Sequence, residues 1–346
     1  MTLWAQDDGM QSLVVAEPRK LAWREAATPG LVSERAALVR PVATATCDFD
    51  HLIVAGAFPA PLPLAIGHEC VAEVLQVGAE VTRVRVGDKV VVPFQISCGD
   101  CPPCLRGHTS ACASVPWLSC YGLGAMAGNW GGAFADVLAV PFADAMLLPL
   151  PADIPAHAAA ALSCNVVDGY RAVAPIVQRP GEAVLIVSGA FSNIALYAVV
   201  LARVLGAGRV DFFDRDRAVC ERAARLGATI VDSSERIRSM HYPVTVEASM
   251  DAELMTKAVE ATLPAGHCTV TTMFPNPVVR FPLMQAFERC LTLVTGQPHV
   301  RGNLERVLQL MAGNQLRLGA VTDAVVSWDD APDVLRRGKG KFVCCR

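Results

Sequence analysis

The chain has 346 residues, 53% hydrophobic and 18% charged, with a formal net charge of −3. A single core rarely grows beyond about 250–300 residues, so this length predicts two domains, and the apolar content excludes a disordered chain. The near-neutral balance gives no electrostatic drive toward nucleic acid or an anionic membrane, and the one basic cluster, Arg336, Arg337, Lys339 and Lys341, reads as a solvated loop among glycines.

The first 150 residues are expected to be β-rich. Short β-branched runs at Leu13–Val15, Ala36–Val39, Val71–Val77 and Lys89–Val92 are separated by Gly, Pro and Asp turns, with Val86-Gly87-Asp88 marking a tight turn before a buried strand. Residues 155–205 become alanine-rich and helical. From about residue 183 the pattern is strand, small-residue turn, long helix, strand, helix, with strands at Ala183–Val187, Val210–Phe213, Val244–Val246 and His267–Thr272. That alternation implies a parallel sheet with crossover helices. The fold class expected is α/β, with residues 156–295 as a nucleotide-type domain inserted between 1–155 and 296–346 of a β-rich domain.

A mean hydropathy of +0.37 raises the question of a membrane. The longest clean apolar stretch, Ile194–Ala202, has nine residues, where a spanning helix needs about twenty. The start carries Asp7 and Asp8 rather than a basic segment followed by an apolar one, so no export signal is expected. The thirteen cysteines therefore read as thiols in a reducing cytoplasm, several of them spaced as metal ligands.

The strongest motif is Cys98-Gly-Asp-Cys101-Pro-Pro-Cys104 followed by Cys112. Two-residue gaps let one loop wrap its own metal, and four thiolates suit a closed, structural zinc site. His108 lies inside the loop and reads as a surface residue. A second set is scattered: Cys47, His68 in Gly67-His68-Glu69, and Cys164 ahead of Asp168-Gly169-Tyr170. After the strand Ala183–Val187 comes Ser188-Gly189-Ala190-Phe191-Ser192-Asn193, in which only Gly189 remains of a glycine-rich phosphate loop; Ala190 is small, and Ser192 or Asn193 can donate to a phosphate. Asp214 ends the next strand, where a carboxylate bonds a ribose 2′-hydroxyl and repels a 2′-phosphate, although Arg215 and Arg217 adjoin it. A helix N-cap is the competing role for Asp214.

In this order, Cys47, Gly67-His68-Glu69, the four-cysteine loop and Cys164 with Gly169-Tyr170 resemble the zinc-containing alcohol dehydrogenases of the medium-chain dehydrogenase/reductase superfamily. The resemblance runs from about residue 11 to the end of the chain. It implies a Rossmann nucleotide-binding domain plus a β-rich GroES-like catalytic domain, two Zn2+ per chain, and NAD(H) favoured over NADP(H). It further implies Cys47, His68 and Cys164 as catalytic zinc ligands, Glu69 as the carboxylate beside the metal, and Phe94 as a pocket aromatic. Asp168 stands where the family often has a threonine near the nicotinamide, with helix capping as the alternative. The implied reaction is reversible hydride transfer between a primary or secondary alcohol and its carbonyl. The implied assembly, from the strand-like Leu291–Thr295, is a homodimer or homotetramer.

One departure concerns the proton. The family places Ser or Thr two residues after the first zinc cysteine, and here that residue is Phe49. Asp48, Asp50 or His51 are candidates to replace the relay, against a role for Asp50 as a helix cap and for His51 as a solvated side chain. Two alternatives follow from these departures: a reductase of an iminium or conjugated carbonyl, and a degenerate, non-catalytic nucleotide-binding protein. Trp117, Tyr121 and Trp130 are expected either at a substrate entrance or in a core. Cys70, Cys120, Cys220, Cys268 and Cys290 are expected as buried thiols, and Cys344-Cys345 has no assigned role.

Overall fold

The computed structural model describes residues 9–346 apart from 275, 277 and 314. The acidic start at Asp7 and Asp8 lies outside the described residues. The chain divides into two compact units, one made of residues 1–163, 299–302 and 324–346, the other of 164–298 and 303–323.

The first unit is built on β-strands β1 (Met10–Glu17), β2 (Lys20–Ala26), β3 (Ala37–Ala45), β4 (Leu64–Ala65), β5 (Glu69–Val77), β6 (Lys89–Val92), β7 (Leu138–Val140) and β8 (Leu148–Pro149). The second unit supplies β9 (Ala183–Ser188), β10 (Arg209–Phe213), β11 (Thr229–Ile230), β12 (Tyr242–Ala248), β13 (Thr262–Val270) and β14 (Thr292–Val294). The chain then returns to the first unit with β15 (Ala324–Ser327) and β16 (Phe342–Cys345).

In the first unit a sheet runs β15-β16-β3-β5-β6-β8, with β7 also paired to β3, and a smaller sheet runs β2-β1-β4. Apart from the β15–β16 pair, these ladders are antiparallel. β-Branched and small residues, among them Val39, Ala72, Val74, Val90 and Val92, fill the interior around the large ring of Tyr121. The turn at Gly87 forms as expected, with its backbone at φ 90°.

The second unit is one six-stranded sheet in the order β11-β10-β9-β12-β13-β14, with every pair parallel. In strand sequence this is 3-2-1-4-5-6, the doubly wound dinucleotide-binding order. β9 is an unbroken apolar run because both its faces are covered, as a central parallel strand requires. The helix Ser192–Val204 is apolar nearly all round and correspondingly buried.

The observed division differs at its edges from residues 155/156 and 295/296. The short helical turns at 156–163 pack on β3 and β5 of the first unit. Residues 303–323 belong to the second unit, where the Arg222 side chain donates to Val321 O at 2.8 Å and pairs with Asp323 at 3.2 Å. Among the described residues no helix is long and apolar enough to cross a membrane.

Candidate metal centres and nucleotide-binding end

The four-cysteine loop folds as its spacing predicts. Cys101 precedes a short helix, Pro102–Leu105, whose prolines occupy the first two positions, where a missing N–H costs nothing. All four thiols are buried, and their sulfur atoms lie within 4.8 Å of one another. Backbone amides turn toward the sulfurs. Cys98 N donates to Cys112 Sγ at 3.3 Å, Cys101 N to Cys98 Sγ at 3.4 Å, and Ala113 N to Cys101 Sγ at 3.4 Å. Burial alone would raise the Cys101 thiol, but these donors and the neighbouring thiols hold it down at about 6. A convergent, partly thiolate set of four cysteines fits zinc. His108 is exposed and its Nδ1 faces His299 Nε2 at 3.1 Å, so it stands apart from the four ligand atoms.

The scattered set also converges. Cys47, His68, Glu69 and Cys164 are all buried, and their ligand atoms lie within 4.8 Å of one another. Three local devices bring them together. Cys47 ends the segment after β3 and caps the helix Asp48–Ala55. Gly67 has φ 93°, and a Cβ there would meet the Phe134 ring at 2.5 Å, so only glycine delivers His68 to this point. Ser163 Oγ accepts from Cys70 N at 3.1 Å and donates to Cys70 O at 2.9 Å, which ties Cys164, the next residue, to the start of β5.

Asp50 joins two of these pieces. Its Oδ2 accepts from Cys47 N at 3.0 Å, and its Oδ1 lies 3.1 Å from His68 Nδ1. That contact leaves Nε2 of His68 for the metal set. Burial would lower the His68 pKa, but the Asp50 carboxylate and Cys47 raise it well above its ordinary value. Two thiols and an oriented imidazole are a donor set that fits zinc with a position left open.

Two expectations about this region are corrected. Lys341 is not solvated: it is fully buried, and its Nζ bonds Thr46 O at 2.7 Å and ion-pairs with Glu69. Burial pushes the Glu69 carboxyl up to about 7, against the pull of the Lys341 ammonium. His51 is not solvated either. Its ring is buried, with Nδ1 3.2 Å from Leu335 O and Nε2 3.0 Å from Gly340 O. Both ring nitrogens thus face backbone carbonyls, which do not relay protons. Asp48 is buried, and Phe49 packs edge-on against Phe58 with centroids 4.7 Å apart. Phe94 is buried with its ring 5.5 Å from that of His68.

Of the three aromatics in the glycine-rich stretch, Tyr121 belongs to the core and its hydroxyl donates to Ala139 O at 2.9 Å. Trp130 packs against the same core, while Trp117 is 73% exposed. Cys70, Cys120, Cys220 and Cys268 are buried, but Cys290 is exposed, because it sits at φ 52° in the turn between the helix Leu283–Glu288 and the edge strand β14.

In the second unit, Gly189 follows β9, and a Cβ on it would meet Ser249 O at 2.8 Å. The amides of Ala190 and Phe191 donate to Ser249 O and Ala248 O, each at 3.1 Å, so the Ala190 amide is already spent. The first-turn amides of the helix that Ser192 and Asn193 open are the donors that a phosphate at this end would meet. Asp214 is buried just past β10. Its Oδ1 accepts from Asp216 N at 2.7 Å, while Oδ2 is buried with no partner, and burial raises its pKa. The helix cap is Asp216 rather than Asp214. An orphaned carboxylate oxygen at the end of the second strand fits a ribose hydroxyl. Arg215 and Arg217 are both engaged, with Asp251 and Glu221 respectively. Asp168 is not a helix cap; it lies in the first turn of the helix Asn165–Val173 and pairs with Arg171 at 2.5 Å.

Residues 33–152 match the alcohol dehydrogenase GroES-like domain family. The chain is 28% identical to a probable zinc-binding alcohol dehydrogenase of Mycobacterium tuberculosis, over 88% of this chain and 78% of that protein. It is 33% identical to a glutathione-independent formaldehyde dehydrogenase of Pseudomonas aeruginosa, over 62% of this chain but only 56% of that longer protein. The solved structure of alcohol dehydrogenase TADH from Thermus sp. ATN1 superposes with a TM-score of 0.88 at 29% identity, covering 97% of this chain and 99% of the other. The chain thus carries an alcohol dehydrogenase GroES-like domain and is similar to zinc-binding alcohol dehydrogenases over most of its length. Its class is that of the zinc-type oxidoreductases, with a Rossmann domain and a GroES-like domain.

Three parts of the site are not announced by any motif. Lys341 is signalled only by standing at the mouth of an apolar strand, β16. Asp50 is visible as a helix cap but not as the partner of His68. Ser163 is an ordinary serine in a helical run until its two bonds to Cys70 are seen.

Proposed function

We propose that this protein interconverts a small alcohol and its aldehyde or ketone, using NAD(H) and two Zn2+ per chain. The observation that carries the reading is the convergence of buried Cys47, His68, Glu69 and Cys164 in a chain that also builds a closed four-cysteine loop. A zinc ion bound by Cys47, His68 and Cys164 supplies a Lewis acid for the substrate oxygen. The chain's own residues do the rest. Asp50 fixes the ring of His68, Lys341 holds Glu69 beside the ligands, and Phe94 offers an apolar wall. Asp214 favours the unphosphorylated ribose of NAD(H). We place the domain boundary near Ser163, with the catalytic unit on its N-terminal side.

A second reading, a reductase of an iminium or conjugated carbonyl, is favoured by one observation. Phe49 carries no hydroxyl, the ring nitrogens of His51 face carbonyls, and Asp50 is engaged with Cys47 N and His68 Nδ1, so none of these three stands as a free relay for an alcohol proton. A homodimer is supported by the exposed edge strand β14, with Leu293 and Val294, next to exposed Leu283, Met284 and Phe287. Thiolate-rich metal sites favour the reducing cytoplasm as its compartment.

The test is zinc content per chain, measured beside Cys47→Ser, together with turnover of a panel of alcohols, ketones and cyclic imines with NAD(H). Two zincs falling to one, with activity lost, support the reading. One zinc unchanged by the substitution overturns it, and turnover of imines alone selects the second reading.

A further inference from the structure

Arg215 follows the carboxylate assigned to the ribose, and an arginine free at this strand end would receive a 2′-phosphate. It is not free. Its Nη1 lies 2.6 Å from Asp251 Oδ2 and its Nη2 3.8 Å from Glu253 Oε2. Asp251 is held from its other oxygen, because Oδ1 caps the helix Ala252–Ala261 by accepting from Glu253 N at 2.9 Å and Leu254 N at 3.1 Å. The loop before it is also pinned. Glu247, at the end of β12, accepts from Ser249 N at 2.6 Å and from Met250 N at 3.2 Å, with Met250 turned to φ 62°.

The sheet order sets the direction of this contact. β9 lies between β10 and β12, so an arginine after β10 that reaches an aspartate after β12 crosses the C-terminal end of β9, beside Gly189. The ion pair therefore lies along the rim where the loop after β9 and Asp214 meet. Asp214, Asp251 and Glu253 together set three carboxylates against one guanidinium, which leaves this rim net negative.

We propose that Asp251 and Glu253 are specificity-determining residues: by sequestering Arg215 they deny a 2′-phosphate its counter-charge, so the site takes NAD(H) and rejects NADP(H). The proposal rests on the reading that a dinucleotide binds at this end of the sheet.

The experiment compares Kd values for NADH and NADPH by cofactor fluorescence in the wild-type protein, in D251N/E253Q and in D251N/E253Q/R215A. Asparagine is as good an N-cap as aspartate, so the helix start survives the first change. The double variant should shift the NADPH-to-NADH affinity ratio toward NADPH by about tenfold, and removing Arg215 from it should abolish the gain. An unchanged ratio in the double variant, with NADH still bound, overturns the proposal and leaves the nucleotide reading intact. A wild-type protein that binds NADPH as tightly as NADH also overturns it. Binding of neither cofactor by the wild-type protein overturns the nucleotide reading, and the proposal with it.

Discussion

Lys341 carries a charge at 0% exposure, against a carboxylate that is equally buried. Two charges taken out of water repay their desolvation only through each other and their remaining hydrogen bonds, and removing one partner typically costs about 3–5 kcal/mol. Lys341→Met is therefore expected to lower stability by about that amount in urea denaturation, while Lys341→Arg should restore part of it. Asp50→Asn keeps an acceptor for the Cys47 amide but weakens the hold on the His68 ring. It should lower retention of the Cys47-dependent zinc by about 10–100-fold in a chelator competition, with the zinc of the four-cysteine loop unaffected. The two convergent donor clusters were legible, because cysteine and histidine in this order point to one chemistry. Their supports were not. Lysine in a basic cluster among glycines reads as solvated, and only the pairing of β16 with β3 draws Lys341 inside.

Among the elements, the Cys98–Cys112 loop and β14 make opposite demands on the sequence. The loop has little regular structure beyond two short helical turns, and its four thiols and their amide donors shape it from within. Cys104→Ala should release its zinc and increase proteolysis within residues 98–112, which limited digestion and zinc analysis would detect. That loop was readable from spacing alone, since its ligands are close in sequence. β14 is a three-residue strand at the sheet edge with Leu293 and Val294 both exposed. On the homodimer proposed above, Leu293→Lys should shift the sedimentation velocity profile toward monomer. Cys290, expected to be buried, is exposed because it belongs to the turn leading into this edge, and residue type alone does not distinguish edge from centre.

For the whole molecule, the two units should respond to pH in opposite ways. The first carries the four-cysteine loop, and zinc held there as proposed would need thiolates, which acid protonates, so acidification should release the metal and lower that unit's stability. In the second, burial raises the Glu247 carboxyl above its ordinary 4.5, although bonds from Ser249, Thr272 and backbone amides oppose this. From 4.5 up to that raised value the folded chain keeps a proton that the unfolded chain has already released. The unfolded state then binds fewer protons, so stability falls as pH rises through this window. Urea midpoints for wild type minus Glu247→Gln should decline across the same interval, and a flat difference would remove Glu247 as the cause.

The sequence by itself determined the layout of elements, the convergent four-cysteine loop and the donor set at Cys47, His68 and Cys164, because periodicity, turn residues and ligand type act locally or through a pattern that survives along the chain. Only the tertiary structure decided what those groups face. His51 meets two carbonyls, Asp214 keeps a bare oxygen while Asp216 takes the cap, and Arg215 crosses a strand end to Asp251. Each of these outcomes depends on partners 36 to 289 residues away, or on burial created by the whole sheet, and no local preference encodes such a distance.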